Sequence, residues 1–218
     1  RGTTNRDRRR TAPLAMLARR THAMDRFSSA LLDRFGAERA LVARDQMLAY
    51  ECDGFTIHKS LPRAVVLPES TDEVQAAVRI ALAHEVPFLP RGAGTCLSGG
   101  PTPTRPSLVI ETARMKRVLE VDERGLWAVV QPGVVNLALT RHVEGRRLNY
   151  APDPSSQTVC TIGGNLAENA GGPHCFKYGM TSDHVLGALV VLPDGELARL
   201  GGPAGPRAPH EPDLLGVF

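Results

Sequence analysis

The sequence has few cysteines, few aromatic residues and no long apolar run. Its 218 residues include four cysteines, one tryptophan and 5% aromatic residues in all. The cysteines, at positions 52, 96, 160 and 175, form no Cys-x-x-Cys pair. That spacing argues against a zinc site, so we expect no metal and free thiols in a reducing, cytoplasmic compartment. The longest apolar candidate, HVLGALVVL at 184–192, has the length of a strand and falls short of the roughly 18 residues that a membrane-crossing helix needs.

Positive charge is concentrated at the N-terminus. The first twenty residues hold seven Arg and one Asp, whereas the rest of the chain holds 19 basic and 22 acidic side chains. A mildly acidic body offers no basic stripe for nucleic acid, so we expect no nucleic-acid partner. The segment RGTTNRDRRR at 1–10 could be a nucleic-acid arm or a targeting peptide. The interpretation that we favour is a solvated, disordered start.

The pattern of apolar residues predicts a chain that mixes helices and strands. It indicates a helix over 12–35, then a strand at 62–68, a helix at 70–85 and a strand at 86–92. A strand–helix–strand unit of this size is typical of a parallel crossover. Ser70 or Thr71 could cap the helix, and Glu73 could complete a capping box with Ser70.

The remaining predicted elements point to the same fold class. They are strands at 107–112 and 127–133, with 118–125 leading into the second, a helix at 135–146, and a hairpin at 184–200 whose turn is PDG. The order of elements predicts an α+β fold.

The first glycine-rich segment is PRGAGTCLSGG at 90–100, directly after a predicted strand. Its glycines allow positive φ angles, and successive amides in such a turn form a concave anion site. Thr95 and Ser98 add hydroxyl donors and Arg91 adds a cation, which are the parts needed to hold a pyrophosphate. The segment matches neither the P-loop nor the GxGxxG fingerprint. A plain glycine-rich turn remains the alternative.

The second such segment is APDPSSQTVCTIGGNLAENAGGPHCFKYG at 151–179, which has very few bulky apolar side chains. TIGGN at 161–165 could begin a helix whose first amides point outward, and ENAGG at 168–172 could end it. Several polar side chains could define hydrogen bonds around a heteroaromatic edge: Asp153, Ser155, Ser156, Thr161 and Asn165. A plain surface loop is the alternative, but long loops without structure are usually functional or disordered. Two phosphate-binding segments together suggest one long, bent ligand such as a dinucleotide.

These segments carry a family resemblance. The chain resembles the FAD-linked oxidases of the vanillyl-alcohol oxidase, or PCMH-type, superfamily, and within it the group of the glycolate oxidase flavoprotein D subunit and the D-lactate and D-2-hydroxyglutarate dehydrogenases. The motifs that carry the resemblance are PRAVVLPESTDEVQAAVRIA, PRGAGTCLSGG, VVQPGV, the second segment and DHVLGALVVLPDGE, in that order between Leu61 and Leu200. The resemblance implies a PCMH-type FAD-binding domain of two α+β subdomains over 61–218, after a helical, partly disordered extension over 1–60.

The resemblance also implies which residues hold the FAD cofactor. The first segment would wrap the pyrophosphate with Arg91, Gly92, Ala93, Gly94, Thr95, Ser98 and Gly99. Pro132 and Gly133 would lie near the adenylate. In the second segment, the flavin region would be lined by Pro152, Asp153 and Ser156. The pyrophosphate, ribityl chain or ring edge would be held by Thr161, Gly163, Gly164 and Asn165, and this contact would continue through Ala170, Gly171 and Gly172.

Covalent members of the superfamily often bond the flavin through a histidine in the pyrophosphate loop. This loop reads Gly94-Thr95-Cys96 and has no histidine, so noncovalent FAD is expected. Cys96 and Cys175 are alternative attachment points, although buried thiols are the simpler interpretation. His174 and Lys177 could touch substrate, but a structural role is the simpler interpretation for both.

The function that the resemblance implies is the oxidation of a 2-hydroxy acid such as glycolate or D-lactate, with hydride transfer to FAD. Electrons would pass to an iron–sulfur subunit or fused domain, through which the protein could associate with the membrane surface. We expect the domain to be truncated at the C-terminus and the catalytic residues to lie beyond Phe218, so the chain alone would be inactive. Two alternatives are an alditol- or lactone-type oxidase and a nucleotide-binding module without redox activity.

Overall fold

The computed structural model describes residues 25–202. The helices are α1 (Arg26–Phe35), α2 (Arg44–Met47), α3 (Thr71–Ala83), α4 (Asn136–Glu144), α5 (Ile162–Ala167), α6 (Cys175–Tyr178) and α7 (Thr181–His184). The strands are β1 (Ala40–Leu41), β2 (Ala64–Val66), β3 (Phe88–Arg91), β4 (Leu108–Glu111), β5 (Val118–Asp122), β6 (Trp127–Val130), β7 (Gly187–Val191) and β8 (Leu197–Gly201). The mixture of helices and strands agrees with the predicted α+β class.

A four-stranded sheet forms the first layer, in the order β1-β2-β4-β3. The predicted strand–helix–strand unit is present as β2, α3 and β3, and both strands run parallel to β4. The two strands are not neighbours, however, because β4 lies between them. All four β4 residues are buried, as expected for a central strand of a sheet that is covered on its faces.

The main core lies between this sheet and helices α1 and α3. It includes Phe27, Leu31 and Phe35 of α1, which pack in one cluster with strand residues such as Val66 and Ile110. The helix predicted over 12–35 is confirmed from Arg26, where Asp25 caps it; its earlier part lies outside the described residues. Residues before 61 thus share the core of the sheet, and the division at 60/61 stays a prediction.

The N-terminus of α3 follows only half of the predicted capping box. Ser70 accepts a hydrogen bond from the Glu73 amide, as expected. The Glu73 carboxylate accepts from the Glu69 amide rather than from Ser70, and it also accepts from Arg39 at 2.6 Å. An arginine from the β1 end of the sheet competes for this carboxylate, which a local sequence pattern does not reveal.

The second half of the described chain carries two hairpins and a second core. Strands β5 and β6 pair antiparallel, as do β7 and β8. Helix α4 buries Leu139 and Val143 against Val134, which follows β6. The PDG turn of the second hairpin is confirmed: the Gly195 amide donates to Leu192, and Gly195 has a φ of +84°. These elements place the two glycine-rich segments on facing sides of one cleft.

Candidate cofactor site

The two glycine-rich segments meet across a cavity of about 280 Å³. One wall is the loop after β3, and the other is α5 with the turn that precedes it. The predicted contact residues that line the cavity are Gly92, Ala93, Gly94, Thr95, Ser156, Thr161, Gly164, Asn165 and Ala170. Two segments far apart in sequence therefore share one cleft, as a single elongated ligand requires.

A second cavity, of about 460 Å³, adjoins the first through Ala93 and Thr161, which line both. Its walls are mainly apolar and are formed by Ala113, Val118, Val134, Val135, Ala138 and Val159. Lys116 adds one cationic side chain. Gly133 and His142 complete the lining. An apolar wall beside an anion-binding loop suits a nucleoside whose phosphates lie in the first cavity.

The loop after β3 lines the cleft and contains main-chain amides that have no protein acceptor. Gly94 and Gly99 have φ angles of +67° and +85°, a backbone region that glycine enters without steric cost. Within residues 25–202, the amides of Ala93, Gly94, Thr95 and Cys96 find no protein acceptor. Successive free amides of this kind form an anion-binding nest, which supports the predicted pyrophosphate contact.

Arg91 lies behind this loop. Its guanidinium Nε is 3.5 Å from the Glu111 carboxylate, and its Nη1 donates to the Cys52 carbonyl at 2.9 Å. The side chain is only 7% exposed and lines neither cavity. This arrangement does not support the predicted direct contact between Arg91 and a bound phosphate, and that contact stays a prediction. Burial raises the pKa of Glu111 to about 7, although the charge of Arg91 acts to lower it.

The first amides of α5 do not point outward, so this expectation was wrong. Thr161 caps the helix, as its side chain accepts from the Gly164 amide at 3.3 Å. The amides of Ile162 and Gly163 donate to the carbonyls of Val134 and Pro132, each at 2.8 Å. The helix start is therefore tied to the turn after β6. The first amides of α5 are therefore already bonded and are not available to a phosphate.

A chain of buried amides fixes the second segment. Asn165 is 2% exposed and Asn136 is fully buried. The Asn165 Nδ2 donates to Asn136 Oδ1 at 2.8 Å, and Asn136 Nδ2 donates to the Pro152 carbonyl at 2.9 Å. Buried amides need such partners because an unpaired polar group in the interior is costly. Asn165 thus anchors the loop that begins at Pro152, in addition to lining the cleft.

The rest of the second segment folds back on itself near Asp153. The Asp153 carboxylate accepts from the His174 amide at 3.1 Å and lies 2.7 Å from His174 Nδ1. A Cβ on Gly172 would collide with the Asp153 main chain. The predicted contact residues that line neither cavity are Arg91, Ser98, Gly99, Pro132, Pro152, Asp153, Gly163, Gly171 and Gly172. Their contacts with a cofactor stay predictions.

Sequence reasoning missed three acidic residues around the first loop. Asp53 accepts the Gly99 amide at 2.8 Å, Glu111 pairs with Arg91, and Glu168 accepts the Ser98 hydroxyl at 2.6 Å across the cleft. Asp53 lies between the predicted helix over 12–35 and the predicted strand at 62–68, and nothing local in the sequence links it to position 99. Only the sheet, which brings the chain before β2 behind the loop, reveals the contact.

Comparison with known proteins identifies the family of the domain that forms this cleft. The sequence model of the FAD-binding domain family, described as "FAD binding domain", matches residues 62–201. The chain belongs to this family of FAD-binding domains.

Relatives of this FAD-binding domain agree with that assignment. The glycolate oxidase subunit GlcD of Escherichia coli (strain K12) is 46% identical over 174 residues, which cover 80% of this chain and 34% of that protein. The D-lactate dehydrogenase of Anaerostipes hadrus is 36% identical over 165 residues, covering 75% of this chain and 34% of that one. The chain thus spans about a third of the length of the curated relatives it matches.

A solved structure confirms the PCMH-type fold of the FAD-binding domain. The crystal structure of p-cresol methylhydroxylase with substrate bound superposes with a TM-score of 0.75 and 22% identity, covering 88% of this chain and 39% of that chain. The family match over residues 62–201 and the curated relatives confirm the predicted family resemblance and FAD as the cofactor.

The residues of the cleft fit FAD. The free amides between Ala93 and Cys96 suit a diphosphate, and the adjoining apolar cavity suits a nucleoside. Gly92 lies so close to α5 that a Cβ there would sit 2.6 Å from Thr161 Oγ1, so any larger residue would narrow the space between the two loops. Within residues 25–202, no group of three or more His, Cys, Asp or Glu side chains is placed to hold a metal ion. In the same range, no helix combines the length and apolar character that crossing a membrane requires.

Proposed function

We propose that this chain is the FAD-binding part of a dehydrogenase that oxidises a 2-hydroxy acid such as glycolate or D-lactate. The observation that carries the proposal is the single cleft formed by the two glycine-rich segments, in a chain 46% identical to a glycolate oxidase subunit. The relatives named for D-lactate and D-2-hydroxyglutarate support the same class of substrate. When bound, FAD supplies the hydride acceptor for such a reaction.

The residues of this chain bind and orient the cofactor. The amides from Ala93 to Cys96 would hold the diphosphate, while the apolar wall around Val134 and Ala138 would enclose the adenosine end. Ser156 and Asn165 line the same cleft and would form hydrogen bonds to the flavin end. Binding through main-chain amides keeps the site compact and pre-formed, because no flexible side chain must be ordered.

We propose that FAD is held without a covalent bond. Cys96 is the thiol nearest the amide nest, and its Sγ lies 3.7 Å from the Asp53 carboxylate. Burial raises the pKa of the Cys96 thiol, which disfavours the thiolate that would have to attack the flavin. If this proposal holds, acid precipitation should release all flavin into the supernatant. Flavin that remains with the pellet would contradict it.

We place the catalytic residues outside this chain, beyond Phe218, together with the electron-transfer partner. An iron–sulfur subunit or fused domain would take the electrons onward. The name of the glycolate oxidase relative as a subunit supports a multi-component enzyme. We also propose a cytoplasmic location, with any contact with a membrane surface made through the partner.

The test uses the complete protein, purified with FAD and an artificial electron-accepting dye. Glycolate, D-lactate and D-2-hydroxyglutarate are offered one at a time, with an alditol and an aldonolactone as controls. Dye reduction by one of the hydroxy acids alone supports the proposal. Reduction by the alditol or the lactone instead would overturn the substrate class. Tight binding of ADP without any binding of FAD would show a nucleotide-binding module without redox activity.

A further inference from the structure

Three consecutive residues before β2 hold the cofactor loop from behind. The carbonyl of Cys52 accepts from Arg91 Nη1 at 2.9 Å. The Asp53 carboxylate accepts from the Gly99 amide at 2.8 Å. The Gly54 amide donates to the Cys96 carbonyl at 3.0 Å. We call the segment Cys52–Gly54 the strap; it contacts the beginning, the middle and the end of the loop, and it lies outside the family match at 62–201.

Asp53 is the residue of the strap whose side chain bonds to the loop. Asp53 is only 6% exposed. One of its carboxylate oxygens accepts from the Phe55 amide at 2.8 Å, and the other accepts from the Gly99 amide. Hydrogen bonds from amides to a carboxylate are stronger than bonds between neutral groups. Asp53 therefore fixes the far end of the loop with respect to the strap.

Gly54 sets how closely the strap approaches the loop. A Cβ on Gly54 would lie 3.0 Å from the Cys96 carbonyl oxygen and 3.1 Å from that of Thr95. The carbonyls of these two loop residues therefore face the strap. An anion site needs its carbonyls turned away from the ligand, because their negative ends repel it. The amides between Ala93 and Cys96 are consistent with this requirement, since they have no acceptor among residues 25–202.

We propose that the strap, with Asp53 as its positioning residue, holds the loop in the conformation that presents its amides to the FAD diphosphate. The inference rests on the FAD-binding role of the cleft. Asp53 acts through the loop and not by touching the cofactor, since it lines neither cavity. A negative charge behind an anion site repels the anion. If Asp53 acted only through its charge, Asp53→Asn would tighten FAD binding. If Asp53 positions the loop, Asp53→Asn should weaken FAD binding.

The experiment compares FAD dissociation constants for the wild-type protein and for Asp53→Asn, Asp53→Ala and Gly54→Ala. We expect Asp53→Ala to weaken FAD binding by about tenfold to a hundredfold, since it removes two bonds to a charged acceptor. Asp53→Asn should weaken it less, because the amide oxygen can still accept one of the two bonds. FAD binding that is unchanged or tighter in Asp53→Asn would overturn the proposal, because a purely electrostatic role predicts tightening.

A matched control separates positioning from loss of stability. Leu31 is fully buried in α1, away from the loop, and Leu31→Ala should lower the melting temperature while it leaves the FAD dissociation constant unchanged. Gly54→Ala keeps the Asp53 carboxylate, so it remains informative if Asp53→Ala fails to fold. Equal FAD affinity in Gly54→Ala and the wild type would count against the strap.

Hydrogen exchange tests the strap without any cofactor. In the FAD-free protein, Asp53→Ala should speed exchange within 92–100 at the Gly99 amide, whose acceptor is the Asp53 carboxylate, while strand β4 keeps its protection. Unchanged exchange in 92–100 would overturn the proposal even if FAD binding falls. If the wild-type protein fails to bind FAD, the cofactor role of the cleft is wrong, and the exchange result still decides whether the strap orders the loop.

Discussion

The guanidinium group of Arg91 lies directly beneath Gly94, in the space that a Cβ on Gly94 would occupy. Two features therefore favour glycine at position 94: its φ of +67°, and the Arg91 guanidinium that leaves no space for a Cβ. Arg91 in turn is fixed by Glu111 and by the carbonyl of Cys52. The buried contact between Arg91 and Glu111 therefore supports the cofactor loop from the sheet side.

This relationship makes Gly94→Val a sharp test of the loop. The side chain would have to displace Arg91 or lift the loop, so we expect FAD to bind at least about tenfold more weakly in a titration of flavin fluorescence. Cys52→Ala is the matched control, because the strap uses only the carbonyl at position 52. Equal FAD affinity in the two variants would mean that the loop was assigned wrongly.

The neighbouring glycines of α5 are expected to respond in opposite ways. A Cβ on Gly163 would lie 2.7 Å from Pro132 Cβ, whereas a Cβ on Gly164 meets only Thr161 Oγ1, at 3.2 Å. Gly163→Ala should lower the free energy of unfolding by about 1–3 kcal/mol through overpacking. Gly164→Ala should leave stability equal or higher, because alanine favours helix by up to about 1 kcal/mol, but it should weaken FAD binding because Gly164 lines the cleft.

Chemical denaturation and FAD titration of both glycine variants check this pair. The reverse result, with Gly163→Ala stable and Gly164→Ala unfolded, would show that the packing of α5 on Pro132 has been misread.

The buried pair of Asn136 and Asn165 should be coupled energetically. Asn165→Ala leaves Asn136 Oδ1 without its donor in the interior, which should cost about 1–3 kcal/mol of unfolding free energy. Asn136→Ala should cost a similar amount. The double variant should be less destabilised than the two single effects combined, because both remove the same contact. Strict additivity in a urea-denaturation cycle would contradict the coupling.

The buried carboxyl of Glu111 should make stability depend on pH. Its folded pKa of about 7 lies above the ordinary value of 4.5, so between these values the folded protein holds a proton that the unfolded chain releases. The contribution of Glu111 is therefore greatest below about pH 4.5 and falls as pH rises towards about 7, by at most about 1.4 kcal/mol per pH unit.

Glu111→Gln tests the pH dependence, because glutamine stays neutral at every pH. Relative to the wild type, this variant should gain stability as pH rises through that window, as measured by denaturation at a series of pH values. A difference between the two proteins that stays constant with pH would show that Glu111 is already ionised at the acid end.

The local sequence predicted most of the secondary structure and both walls of the cleft. Apolar periodicity located α3 and the end of α1, and PDG located the turn between β7 and β8, because such signals depend on neighbours a few residues apart. The glycine-rich segments were recognisable because few bulky side chains can pack there. The family resemblance then indicated FAD.

The roles of single residues within those segments could not be predicted in the same way. The sequence indicates that Arg91 is a cation for a phosphate, but the carboxylate that it pairs with belongs to β4, twenty residues further along the chain. The α5 amides were expected to point outward, but carbonyls in the turn after β6 accept two of them. The tertiary structure determines which acceptor or charge lies next to a given donor. A partner from a distant segment produces no periodic pattern in the sequence.

The sequence alone therefore determined the class of fold, the cofactor family and the two segments that face the ligand. The tertiary structure decided which amides remain free for a diphosphate and which are already bonded, and it brought Asp53 and Glu111 behind the loop. The physical reason is that backbone preferences and apolar patterns are local, whereas the satisfaction of each buried hydrogen bond and charge depends on every segment that packs around it.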